Sequence, residues 1–135
     1  MAFETNFKPP KGSAALARRA RKAEDARELA DAYAVVDGRD QSICWVTGRF
    51  LSPGAVRPED RREHHHLKGR NVRPDWVTKP ERIITVSALA HQLLEGGFID
   101  VEGTDARKPM MFHWNASMKG PKPFIIIGKR NWSAA

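Results

Sequence analysis

The chain has 135 residues, 41% of them apolar, enough for one compact domain and too few for two ordinary ones. Its 23 Lys and Arg against 16 Asp and Glu leave a net charge of +7 and a pI near 10.0, a balance that points to a polyanionic partner, most often nucleic acid. The single Cys44 excludes an internal disulfide framework and fits a reducing compartment.

No apolar run approaches the ~20 residues that span a bilayer, and the opening MAFETNFKPPKGS lacks the apolar centre of a signal peptide. A cytoplasmic protein without membrane attachment is therefore expected.

Residues 1–12 carry Lys8, Pro9, Pro10, Lys11 and Gly12 and read as a flexible basic arm. From 13 to 37 strong helix formers predict a helix, with Ser13 as N-cap and Asp37-Gly38 as its stop. Its apolar stripe, Leu16, Ala20, Ala23, Ala30 and Tyr33, is mostly alanine, so the helix reads as an appendage that buries little. Arg18, Arg19, Arg21 and Lys22 suit either a phosphate backbone or a solvated helix face.

QSICWVTGR, 41–49, has the β-branched and aromatic content of a short strand that enters a turn at Thr47-Gly48. A polar loop with Pro53, Gly54 and Pro58 follows, then REHHHLKGR at 62–70, then a second loop with Pro74 and Pro80. Residues 83–86 read as a strand and 87–95 as a helix, with Ser87 as N-cap and Gly96-Gly97 as its stop.

The remainder, 96–135, is a basic β extension in which 98–101, 110–114 and 124–127 are short apolar runs between turns. After Asp105 there is no acidic residue, while Arg107, Lys108, Lys119, Lys122, Lys129 and Arg130 follow. The fold class is α+β.

Three of the five histidines stand side by side at His64, His65 and His66. Histidine exchanges a proton near neutral pH and, when neutral, ligates transition metals. Neighbours on an extended strand point to opposite sides, so at most two of the three can serve one site without a bend. His91, on the 87–95 helix, can join them if the two strands form a hairpin against that helix.

A strand with His-His and an apolar residue, a loop, a short strand and a helix with another His resemble the HNH endonuclease motif, the ββα-metal finger. The resemblance covers 44–95, a little over a third of the chain. It implies that His65 and His91 bind a divalent metal (Mg, Mn, Ni or Zn) and that His66 is the general base of DNA phosphodiester hydrolysis. The alternative register makes His64 the ligand and His65 the base.

Lys68 and Arg70 are then placed to hold DNA phosphates beside the cut. Glu95, four residues after His91 and on the same helix face, is either a third ligand or a solvated helix-end carboxylate. In this frame 41–95 is the HNH-like core, flanked by a basic helix and a β extension that widen the DNA contact.

Two departures stand out. The motif's Asn is expected nine residues before the last histidine, in the role of holding the inter-strand loop, and Arg82 occupies that position. Asn71 is too close to His66 to replace it. Arg82 is suited to grip a backbone carbonyl or to reach the scissile phosphate.

Many HNH domains also carry two CxxC zinc pairs. Here Cys44 faces Thr47 in place of its partner, and Val86 and Leu89 or their neighbours stand where the second pair belongs, so Cys44 is expected to be a small core residue.

The resemblance further implies phage or mobile-element DNA processing; a monomer and a homodimer both stay open. The rivals are an HNH fold that binds nucleic acid without cutting and a small basic RNA-binding protein. His113, alone in an apolar run, is expected to be a hydrogen-bonded core residue. Trp132, in the basic tail, is the aromatic best placed for nucleic-acid contact.

Overall fold

A computed structural model describes residues 12–68 and 72–127 and the backbone of 129–130; Arg70, Asn71 and Trp132 lie outside the described residues, as does the arm before Gly12. The described residues are mixed helix and sheet, with two α-helices and two small antiparallel sheets.

The first helix, α1, is Ser13–Asp40. It starts one residue earlier than expected, because the capping position is Gly12 at φ 94 and Ser13 is already helical. It also runs three residues beyond 37, through Gly38. Mid-helix glycine costs about 1 kcal/mol relative to alanine, and the last turn offsets this with tertiary bonds. Arg39 donates to the carbonyls of Pro80 and Ile83 at 2.8 and 2.7 Å, and Asp40 accepts from the Thr85 amide at 3.1 Å.

Residues 41–49 form a tight turn where a strand was expected. Cys44, Trp45 and Val46 are all buried, and a strand that alternates faces cannot turn three successive side chains to one core. Gly48 at φ 73 makes the turn available, closed by amide bonds from Cys44 to Arg49 O and from Gly48 to Cys44 O, both 2.9 Å.

Strand β1 (Arg62–His66) pairs antiparallel with β2 (Ile83–Ser87), and the helix α2 (Ala88–Glu95) follows directly. Ser87 caps α2 by accepting the Ala90 amide at 3.0 Å, as expected. The second sheet has the order β3 (Ile99–Glu102), β4 (Met110–Trp114), β5 (Lys129–Arg130).

The expected strand at 124–127 is irregular. Its alternation is present, with Ile125 exposed and Phe124 and Ile126 against the core, but the residues that pair with β4 are 129–130. An amide bond from Ile127 N to Val46 O at 2.9 Å ties the segment down.

The main core gathers Cys44, Trp45, Leu51, Ile84, Val86, Met110 and Phe112. A second cluster seats α1 on β2 through Ala32, Val36 and Ile83, with Tyr33 at its margin. The C-terminal turns of α1 are thus part of the fold and not an appendage, while Arg18, Arg19, Arg21 and Lys22 lie on an exposed stretch. Among the described residues, no helix is long and apolar enough to cross a membrane.

Candidate metal centre on the histidine strand

Residues opposite each other in an antiparallel pair share a face. His65 faces Ile84 and Glu63 faces Val86, so both turn to the core side, where α2 lies; Arg62, His64 and His66 turn to the side where α1 lies. The three histidines are therefore split by the strand's own period of two.

On the α2 side, the ligand atoms of His65, His91 and Glu95 lie within 4.8 Å of one another. The rings of His65 and His91 meet edge to face at 5.3 Å. His91 donates Nδ1–H to Glu63 Oε1 at 2.8 Å, which leaves the Nε2 lone pair directed toward the site. That atom is 3.3 Å from Glu95 Oε1, and His65 Nδ1 is 3.4 Å from the same oxygen.

His65 Nδ1 is buried and, among the described residues, lacks a partner in hydrogen-bond geometry. Burial, then the neighbouring His91, hold the His65 imidazole well below its ordinary range, at about 4. His65 is thus neutral at pH 7. Three lone-pair donors converge with no proton needed between them, a donor set that fits a divalent transition metal.

Glu95 is also 64% exposed at its side chain, so the solvated-carboxylate reading and the ligand reading describe one residue: it closes the group from the solvent side.

On the α1 side, His64 donates to Asp37 Oδ1 at 2.7 Å and stacks on Tyr33 at 4.0 Å with planes 9° apart. His64 is thus engaged away from His91, and the register that makes it a ligand is not the one assembled here. His66 donates Nε2–H to the Val77 carbonyl at 3.1 Å. A carbonyl only accepts, so this bond assigns the Nε2 proton and leaves the lone pair on Nδ1. The acceptor that sets the tautomer is a carbonyl of the inter-strand loop.

Arg82 ends the short turn Pro80–Arg82. It donates to the Thr104 carbonyl at 2.7 Å, and its guanidinium lies 3.7 Å from the centre of the Trp76 ring, in the turn Pro74–Trp76. Of its two expected uses, the backbone carbonyl is the one seen. Lys68 is exposed just past β1.

Cys44 is buried as expected; its Sγ accepts from the amides of Thr47 and Ser87, both at 3.4 Å, so Ser87 is the neighbour at the second pair's place. His113 departs from expectation: its side chain is 45% exposed, across from Asp100, because β4 turns Met110 and Phe112 inward instead.

Sequence reasoning missed Glu63, Asp37, Tyr33 and the Val77 carbonyl. Glu63 was within reach, since i and i+2 share a strand face and Glu63 precedes His65 by two. The others depend on how α1 and the loop dock, which no local pattern encodes. Compared with known proteins, the chain matches no family model, and no curated protein or solved structure shows significant similarity to it.

Proposed function

We propose that residues 62–95 form a ββα-metal unit of HNH type and that the protein is a metal-dependent endonuclease acting on DNA. The observation that carries this reading is the convergence of His65 Nδ1, His91 Nε2 and Glu95 Oε1 beside an imidazole, His66, whose tautomer is fixed by a loop carbonyl.

His65, His91 and Glu95 would hold the cation. A divalent ion there supplies Lewis-acid stabilisation of the phosphate charge and of the leaving oxygen. The chain's residues do the rest. Glu63 keeps the His91 proton on Nδ1, so Nε2 stays a donor. His66 takes a proton from the attacking water at Nδ1, while Val77 holds its other proton in place. Lys68 contacts the phosphate backbone next to the cut, with Arg70 in the same role.

Arg82 stands at the motif's Asn position and stacks on Trp76 of the loop while it donates to Thr104; its departure from the motif is what keeps the non-cutting fold as the rival. Phage or mobile-element DNA in the cytoplasm is the setting we infer from the resemblance.

The test is cleavage of supercoiled plasmid by wild type and His66→Ala with Mg, Mn, Ni or Zn, and with EDTA. Metal-dependent nicking that His66→Ala abolishes supports the reading. Metal binding and salt-sensitive DNA binding without any cleavage would leave the non-cutting reading in its place. A protein indifferent to His66 that prefers RNA to duplex DNA would replace both.

A further inference from the structure

Among the described residues, the hydrogen-bond and ring partners of the Arg82 guanidinium are neutral: the Thr104 carbonyl at 2.7 Å, the Thr104 hydroxyl at 3.2 Å and the Trp76 ring. Its Nε is out of water and, among those residues, has no acceptor. Arg82 walls a cleft of about 390 Å³ between the inter-strand loop and the turn that joins β3 to β4, lined also by Trp76, Gly103, Asp105 and Lys108.

The acid of this cleft is already spoken for. Arg107 donates to Asp105 from two guanidinium nitrogens, at 3.0 and 2.7 Å, and from its amide at 2.9 Å. The Arg107 side-chain bonds are the main reason that the Asp105 carboxyl is pulled down to about 2. Lys108 is exposed, so Arg82 and Lys108 leave the cleft with an excess of positive charge.

The hairpin decides which way the cleft lies. Leu67 donates its amide to the Arg82 carbonyl at 2.9 Å, one pair beyond His66 and Ile83. Successive pairs alternate between faces, so Leu67 and Arg82 fall on the face of His65 and Ile84, where Leu67 packs against the main core. Arg82 is the diagonal neighbour of His65 across the two strands, a backbone spacing of about 7–8 Å. The cleft therefore shares the side of the hairpin that carries His65, His91 and Glu95.

We propose that this cleft binds a phosphodiester of duplex DNA, with Lys108 as the contact and Arg82 as a fixed cation behind it. A lysine ammonium is a compact point charge that suits phosphate oxygens, and a guanidinium laid on an aromatic ring keeps its charge in one place. Lys108 stands outside residues 62–95, so the second sheet takes part in holding the strand. The inference rests on the nuclease reading for what the contact serves, since a strand bound at the histidine group meets the cleft next; the contact itself is measured without cleavage.

The test titrates binding of a short duplex with salt, in EDTA, for wild type, Lys108→Gln, Lys108→Arg and Lys119→Gln. Lys119 is also exposed and follows the far end of β4, so its variant removes the same charge at another place. The indole N–H signal of Trp76, assigned by its loss in Trp76→Phe, reports on the cleft by NMR during the same titration.

Lys108→Gln is expected to flatten the fall of log K with log salt by about 0.9, the share of one phosphate, and to do so equally on unrelated sequences. Lys108→Arg is expected to restore the wild-type slope. Duplex is expected to shift the Trp76 signal in wild type and to leave it in place in Lys108→Gln.

An unchanged slope in Lys108→Gln overturns the proposal, and so does an equal loss in Lys119→Gln, which would make the effect one of net charge. A wild-type Trp76 signal that duplex does not move overturns it as well. If the expected slopes and shifts appear but the metal-loaded protein cuts no DNA, the nuclease reading fails and the phosphate site stands.

Discussion

His65 is the residue whose environment fixes both a stability and a binding behaviour. Its imidazole titrates at about 4 in the fold against an ordinary 6.5, chiefly because it is buried. Between those values the unfolded chain binds a proton there that the folded chain does not, so stability falls as pH drops from about 6.5 toward 4. In EDTA, urea unfolding at pH 7 and pH 5 is expected to show a larger loss for wild type than for His65→Gln, and equal losses would refute this cause. Glu63 acts one bond further out. Glu63→Gln cannot hold the His91 Nδ1 proton as a carboxylate does, so calorimetric Mn or Zn affinity is expected to fall about 10- to 100-fold.

At the scale of elements, the docking of α1 and the setting of the inter-strand loop each rest on one arginine. The Arg39–Asp40 pair is almost wholly inaccessible, and both partners also bond the β2 strand or the turn before it. Removing one member leaves a buried charge without compensation, so Arg39→Ala is expected to lose about 3–5 kcal/mol of stability. Retention of full stability in thermal or chemical unfolding would mean that α1 is seated by Ala32 and Val36 alone.

Arg82 works through a flat guanidinium that stacks on Trp76 while it donates to Thr104. Lysine cannot do both. Arg82→Lys is expected to keep the fold, lower kcat several-fold and leave metal affinity unchanged. Equal cleavage by Arg82→Lys and wild type would show that Val77 needs no help to hold His66.

For the whole molecule, net charge +7 predicts counterion release on DNA binding, with log K falling by about 0.9 per decade of salt for each phosphate neutralised. Duplex binding titrated from low to physiological salt checks this, and an affinity independent of salt would remove the link between charge and partner. The shape that presents the charge has two parts. A core of two small sheets and α2 carries the histidine group, and the first half of α1 carries the exposed Arg18, Arg19, Arg21 and Lys22.

The sequence alone determined those features that depend on neighbours in the chain. Ser87 as the cap of α2, the β1 and β2 strands, the five residues of β4 and the separation of adjacent histidines all follow from local propensity and a period of two. Tertiary structure decided the features whose partners are far away in sequence. α1 ran through Gly38 because Arg39 and Asp40 found buried partners at 80–85, and 41–49 turned because three successive side chains had to enter one core. His66 took its tautomer from Val77, and Tyr33 found the histidines, because a helix and a loop docked on the same side of one strand. Long-range contacts of that kind override local preference when their burial and hydrogen bonds exceed the roughly 1 kcal/mol that propensity supplies.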